Sequence, residues 1–298
     1  MRIRAASFAA LFALAGGLQA QQRLEPPSPL EPKSGNPFLR EGDSHYARRQ
    51  DKRVGETADR GEIAAAVRAY DTAAQAADNL EARWKLARAL VFQGLYTEME
   101  PSARQAVFEK ARRVSEDGVS ILERRARRTG VNEFTALSPA EIAGAVHKDH
   151  DASPTFYWAA VSWGQWAVAR GKEEATRLGA AQRIRTYAMV LIELDPDFED
   201  GGGYRVLGRL HDRAPRMQSE TEWVSREEAL RNLRLAARID SANFANRLYL
   251  AEALAPGSAA ERAEAVRLAQ SLLSDSPSPT RIVEDLRLQR EAAEDLRL

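Results

Sequence analysis

From about Ser44 onward, apolar positions recur at the three-to-four-residue spacing of helices buried along one face. Alternating apolar and polar runs with β-branched enrichment are absent, so no strand is expected. The pattern predicts helices over 61–79, 80–96, 101–128, 138–147, 154–170, 172–194, 201–212, 224–240, 243–255, 258–275 and 279–298. In the first, Ile63, Val67, Tyr70, Ala74 and Ala77 share a face. Pro101 opens the third, where a missing N–H costs nothing. Ser138, followed by Pro139 and then Glu141, has the wording of a capping box. The last helix is charged on most faces and reads as a solvated cap that ends the array.

These helices fall into pairs. The first member of each pair carries a large residue followed by a small one: Leu86-Ala87, Trp163-Gly164, Leu207-Gly208 and Leu250-Ala251. The last three recur at about 43 residues, longer than the roughly 34 of a tetratricopeptide repeat. The connections must then carry insertions, of which 213–223 is one. Hairpins of this kind cannot bury their apolar faces alone and stack on one another. The expected fold is all-α, a TPR-like α-solenoid of stacked helical hairpins, with an irregular helical bundle as the alternative.

Three segments are expected: a signal peptide over 1–20, a proline-rich tether over 21–43 and the TPR-like helical domain over 44–298. Arg2 and Arg4 precede an apolar run from Ala5 to Leu18, and Ala20 offers a small residue at a cleavage point. An uncleaved N-terminal anchor is the other reading of that run. Pro26, Pro27, Pro29, Pro32 and Pro37 mark the tether. The expected location is periplasmic. The chain has no cysteine, which excludes disulfides, thiolate zinc sites, cysteine nucleophiles and a lipidated N-terminal cysteine.

Lysine plus arginine and aspartate plus glutamate both number 43, so the net charge is zero and a nucleic-acid partner has no electrostatic footprint. The basic run Arg124, Arg125, Arg127 and Arg128 falls at a helix C-terminus, where cations meet the carbonyl end of the dipole; an anionic partner is the other reading. His147 and His150 lie among acidic residues, but the spacing lacks the zincin pattern, and no metal or cofactor is expected. With four histidines and no cysteine, no nucleophile–base pair stands out, so an enzyme is not expected.

The remaining candidates are sites for a ligand or partner. Gly201-Gly202-Gly203 precedes a helix; the glycines permit a tight turn and close packing, or cradle an anion on backbone N–H groups. Phe156, Tyr157, Trp158, Trp163 and Trp166 concentrate aromatic rings on one helix, as core or as an apolar groove, with Tyr157 turned away from the arc and expected to be exposed. Arg205 and Arg209 are like-charged neighbours one turn apart and need acids near, with Asp195, Asp197, Glu199 and Asp200 as candidates. Tyr157, Trp158, Gly202, Gly203, Arg205 and Arg209 are the expected ligand- or partner-binding residues.

Leu194-Asp195-Pro196-Asp197-Phe198, the glycine run, Arg205-Val206-Leu207-Gly208-Arg209-Leu210 and Ala214-Pro215 together resemble the T component of TRAP transporters, the periplasmic TPR-like TatT family. Asn246-Arg247-Leu248, Leu250-Ala251-Glu252-Ala253-Leu254 and the Tyr157-Trp158 helix are similar to it as well. The resemblance spans about residues 60 to 275 and is densest over 155–255. It implies a non-enzymatic periplasmic protein, trimeric, that binds a TRAP substrate-binding subunit and a small organic or hydrophobic ligand to assist solute uptake. A general TPR scaffold in cell-envelope assembly is the other functional reading.

Overall fold

A computed structural model describes residues 35–214 and 221–295. The expected signal peptide, most of the expected tether and the centre of the 213–223 insertion lie outside the described residues. Within them the chain is all-helical, with thirteen α-helices, one short 3-10 turn at Phe134–Ala136 and no strand.

The first helix, α1 (Pro37–Ala47), begins inside the stretch read as tether. Asn36 caps it by accepting from the N–H groups of Phe38 and Leu39, and Pro37 fits the first turn. Helices α2 (Arg60–Ala73), α3 (Leu80–Tyr96) and α4 (Pro101–Arg128) follow. Asp59 and Asn79 cap α2 and α3 through their side chains. Ser138 and Glu141 close the expected capping box on α5 (Pro139–Val146).

Next come α6 (Ala152–Arg170), α7 (Lys172–Arg177) and α8 (Ala180–Leu194). The single helix expected over 172–194 is thus two, because Gly179 adopts the left-handed conformation at φ 66° and breaks the ladder. Then α9 (Phe198–Arg213), α10 (Arg226–Ile239), α11 (Phe244–Leu254), α12 (Ala259–Ser274) and α13 (Ile282–Asp295) complete the chain. Asn243 caps α11, and Ser258 with Glu261 makes a second capping box at α12.

Helices near one another in the chain pack together, α3 on α4 and α6, α6 on α8, α8 on α9, α9 on α10, and α11 on α12 and α13. Burial divides them. In α11 every residue from Phe244 to Leu254 is buried, and α6 is buried continuously from Thr155 to Trp166. In α4, by contrast, Phe108, Ala111, Ser115, Gly118, Ile121, Leu122 and Ala126 bury one stripe while the rest faces water.

The arginines ending α4 are engaged within the chain. Arg124 and Arg128 pair with Asp78, and Arg125 donates to the Asp78 carbonyl at 2.8 Å and pairs with Asp149. They fasten the α2–α3 turn and the loop before α6.

The final helix is not a solvated cap. Val283, Leu288 and Ala292 are buried, and the charges of α13 and the turn before it meet complementary groups near the start of the chain. Arg49 reaches Glu284 and the Thr280 carbonyl, both at 2.8 Å. The Gln50 amide donates to the Pro279 carbonyl and accepts from the Val283 N–H. Arg287 and Arg290 both pair with Glu56. The connection between α1 and α2 is thereby joined to the last described helix.

Candidate functional site

Three consecutive residues between α8 and the body of α9 are left-handed: Glu199 at φ 51°, Asp200 at φ 57° and Gly201 at φ 78°. An L-residue in that region costs about 1–2 kcal/mol, so two non-glycine residues there need strong outside support. Arg205, one turn later and only 1 % exposed, supplies much of it. Its guanidinium donates to the Glu199 carbonyl at 2.9 Å, the Asp200 carbonyl at 3.4 Å, Asn246 Oδ1 at 2.9 Å and the Tyr157 hydroxyl at 3.1 Å.

The opposite side of the turn is stitched to α11. The Asn246 amide donates to the carbonyls of Asp200, Ala236 and Asp240, each at 3.0 Å. Asn243 and Arg281 bind the Asp200 carboxylate at 2.9 and 3.3 Å. The glycines then serve close approach: a Cβ on Gly202 would lie 2.7 Å from the Tyr157 ring. Burial pushes the Tyr157 phenol up to about 12, with Arg205 pulling the other way.

This organisation corrects one expectation and redraws others. Tyr157 is 1 % exposed rather than open to solvent, because Gly202 lets α9 come against its ring while Trp158 and Phe198 pack edge-on at 5.0 and 5.6 Å. Arg205 is held by backbone carbonyls of the turn, not by the expected carboxylates. Arg209 lies one turn on, where Glu252 and Asp212 pair with it and the Tyr249 ring covers it at 4.2 Å. Gly203 faces α8, with Ile192 at 2.8 Å from a built Cβ. Tyr157, Gly202 and Arg205 meet in one contact; Trp158 adjoins it, and Gly203 and Arg209 do not share it. Trp163 and Trp166 form core, donating their indole N–H groups to Glu116 and Glu109 of α4.

Sequence reasoning named Glu199 only as a candidate partner for Arg205 and Arg209, and passed over Arg88. Glu199 makes no ion pair among the described residues, and its Oε2 is buried without a hydrogen-bond partner. Burial pushes its carboxyl up to about 7, while Arg205 and Arg88 oppose the rise. Arg88, on α3, also lacks a carboxylate partner among the described residues, and its buried Nε is unsatisfied. Its guanidinium lies on the Tyr46 ring at 3.8 Å and near Trp84 at 5.1 Å, with the Tyr70 hydroxyl 3.5 Å from Nη2. A lone cation in the apolar run Leu86-Ala87-Arg88-Ala89-Leu90-Val91 was the available signal.

The acidic loop before α6 gathers one ligand atom each from Asp149, His150 and Asp151 within 4.8 Å. Arg125 already occupies Asp149, and the Trp84 indole donates to Asp151 at 2.9 Å. His147 stands apart, bonded to the Gly144 carbonyl at 2.7 Å. Among the described residues no helix is long and apolar enough to cross a membrane.

In comparisons with known proteins, no family model matches the chain and no curated protein matches it.

Proposed function

We propose that the chain is a non-enzymatic periplasmic binding module, a TPR-like solenoid that acts as the T component of a TRAP-type uptake system and engages its substrate-binding subunit. One observation carries the reading: residues that give the sequence its resemblance to that family meet at the clamp around the left-handed turn. The glycines and Arg205 come from one part of the resemblance, Asn246 from a second and Tyr157 from a third. A resemblance carried by scattered surface residues would have had no such common purpose.

Two features support the solenoid. The pairs α3/α4, α6/α8, α9/α10 and α11/α12 each pack within themselves and against a neighbour. The large–small pairs Leu207-Gly208 and Leu250-Ala251 sit on buried first helices of those pairs, and Gly208 admits Leu233 of α10 at 2.7 Å from a built Cβ.

The test is native mass spectrometry of the full chain expressed with its export signal, alone and mixed with a TRAP substrate-binding subunit from the same genome. A trimer that takes up the subunit is expected. A monomer that leaves the subunit free overturns the reading and favours a general envelope scaffold.

A further inference from the structure

We propose that the fold contains an opening joint: α10–α13 turn as one body away from α1–α9, about the line where α9 and α10 touch, and the contacts between the α1–α2 connection and α13 are its latch. Such a joint serves any partner that prefers one form, and it does not depend on the uptake reading.

Buried apolar side chains form two separate clusters. One runs through α1–α9 and takes in Val283 of α13; the other lies within α10–α13 and holds Leu288 and Ala292 of that helix. The facing sides of α9 and α11 meet through polar groups. Arg205 binds Asn246 at 2.9 Å, Asn243 binds Asp200 at 2.9 Å, and Arg209 and Arg213 both pair with Glu252. The latch at the far edge is polar as well. Arg49 holds Glu284 and the Thr280 carbonyl, Gln50 holds the Pro279 carbonyl and the Val283 N–H, and Glu56 holds Arg287 and Arg290. A polar boundary separates more readily than a shared apolar core, because water replaces each lost contact.

The α9–α10 contact is built differently. A Cβ on Gly208 would lie 2.7 Å from Leu233, and one on Gly201 would lie 3.1 Å from Ala236 and from Ile239. Two glycines about two turns apart let the helices touch along one line, which serves as the axis.

The closed seam is also imperfectly satisfied. Glu252 Oε1, Glu284 Oε2, Arg49 Nε and Arg281 Nε are buried with no hydrogen-bond partner among the described residues. Opening gives each of them water, which offsets part of the loss of the ion pairs. In the latch, the side chains of Glu56, Arg287 and Arg290 are 24–42 % exposed, so salt screens their pairing. Arg49 and Glu284 are more deeply buried, and removing the guanidinium strands the carboxylate. Both perturbations favour the open form.

The experiment is pulsed electron–electron resonance on the full chain, whose lack of cysteine makes paired spin labels site-specific. Lys52→Cys with Gln270→Cys spans the joint. Lys52→Cys with Ser120→Cys lies within the first body, and Gln270→Cys with Glu294→Cys within the second; all four positions are exposed. Each pair is measured at about 0.05 M and about 0.5 M salt, with the latch intact, with Glu56→Gln and with Arg49→Gln. A second, longer distance is expected for the spanning pair alone. Its weight relative to the closed form is expected to rise about twofold to tenfold with Glu56→Gln, further with Arg49→Gln, and in the same direction with salt.

One unchanging distance for the spanning pair, in every variant and at both salt concentrations, overturns the joint. A second distance in the α12–α13 pair means that α13 peels off by itself, and one in the first-body pair means general loosening; either result overturns the proposal too. Should Arg49→Gln fail to fold by circular dichroism, Glu56→Gln and salt carry the test, since Glu56 stands at the rim and glutamine keeps its shape.

Discussion

Replacing Glu199 by glutamine tests whether the turn before α9 holds an under-stabilised carboxyl group. Its ordinary value of 4.5 rises to about 7 in the fold, chiefly through burial. A folded value above the unfolded one means that the native state holds the proton more tightly. The associated stability is fully present below pH 4.5 and is lost as pH rises through about 7. The full shift corresponds to about 3 kcal/mol, and water at the accessible edge of the residue reduces it, so about 1–3 kcal/mol is expected. Glutamine keeps the neutral form at every pH. The stability of Glu199→Gln relative to wild type should therefore rise by that amount from about pH 5 to about pH 8. Urea unfolding followed by far-UV circular dichroism at intervals across this range measures it. Burial also raises Glu291 to about 7 and Asp285 to about 6, with the same sign in the wild type. Burial lowers His211, which works in the opposite direction, adding stability as pH rises towards 6.5. These groups are common to both proteins and cancel in the difference. A flat difference curve, or one that falls with pH, would refute the assignment.

Other outcomes follow from the geometry. Gly202→Ala places a methyl group 2.7 Å from the Tyr157 ring, which Arg205 prevents from swinging away; a loss of about 1–3 kcal/mol in urea unfolding is expected. Arg205→Met fills similar volume but strips donors from two carbonyls, Asn246 and Tyr157; at least about 3 kcal/mol should be lost, and a milder result would mean the left-handed turn stands without its clamp. Glu284→Ala removes the carboxylate that pairs with Arg49 across the joined ends; amide exchange in α1 and α13 should accelerate together, with α6 unchanged.

The legible parts of the fold were those that local chemistry decides. Ser138 with Glu141, and Ser258 with Glu261, announce helix starts because a hydroxyl and a carboxylate three residues apart satisfy each other's backbone N–H groups whatever surrounds them. The boundaries of α3 and α4 follow from Asn79 and Pro101 for the same reason. The break at Gly179 was less visible, since a helix tolerates a glycine and nothing nearby says when it will turn left-handed. Of the site, the glycine run and Arg205 drew notice as residue types, but the strain itself falls on Glu199 and Asp200, whose sequence preference is against it. A residue forced into an unfavourable conformation is legible only through what forces it, here Arg205, Asn243 and Asn246, brought from two different helices. The same holds for α13. Its charges look solvated until Glu56, Arg49 and Gln50 are brought alongside.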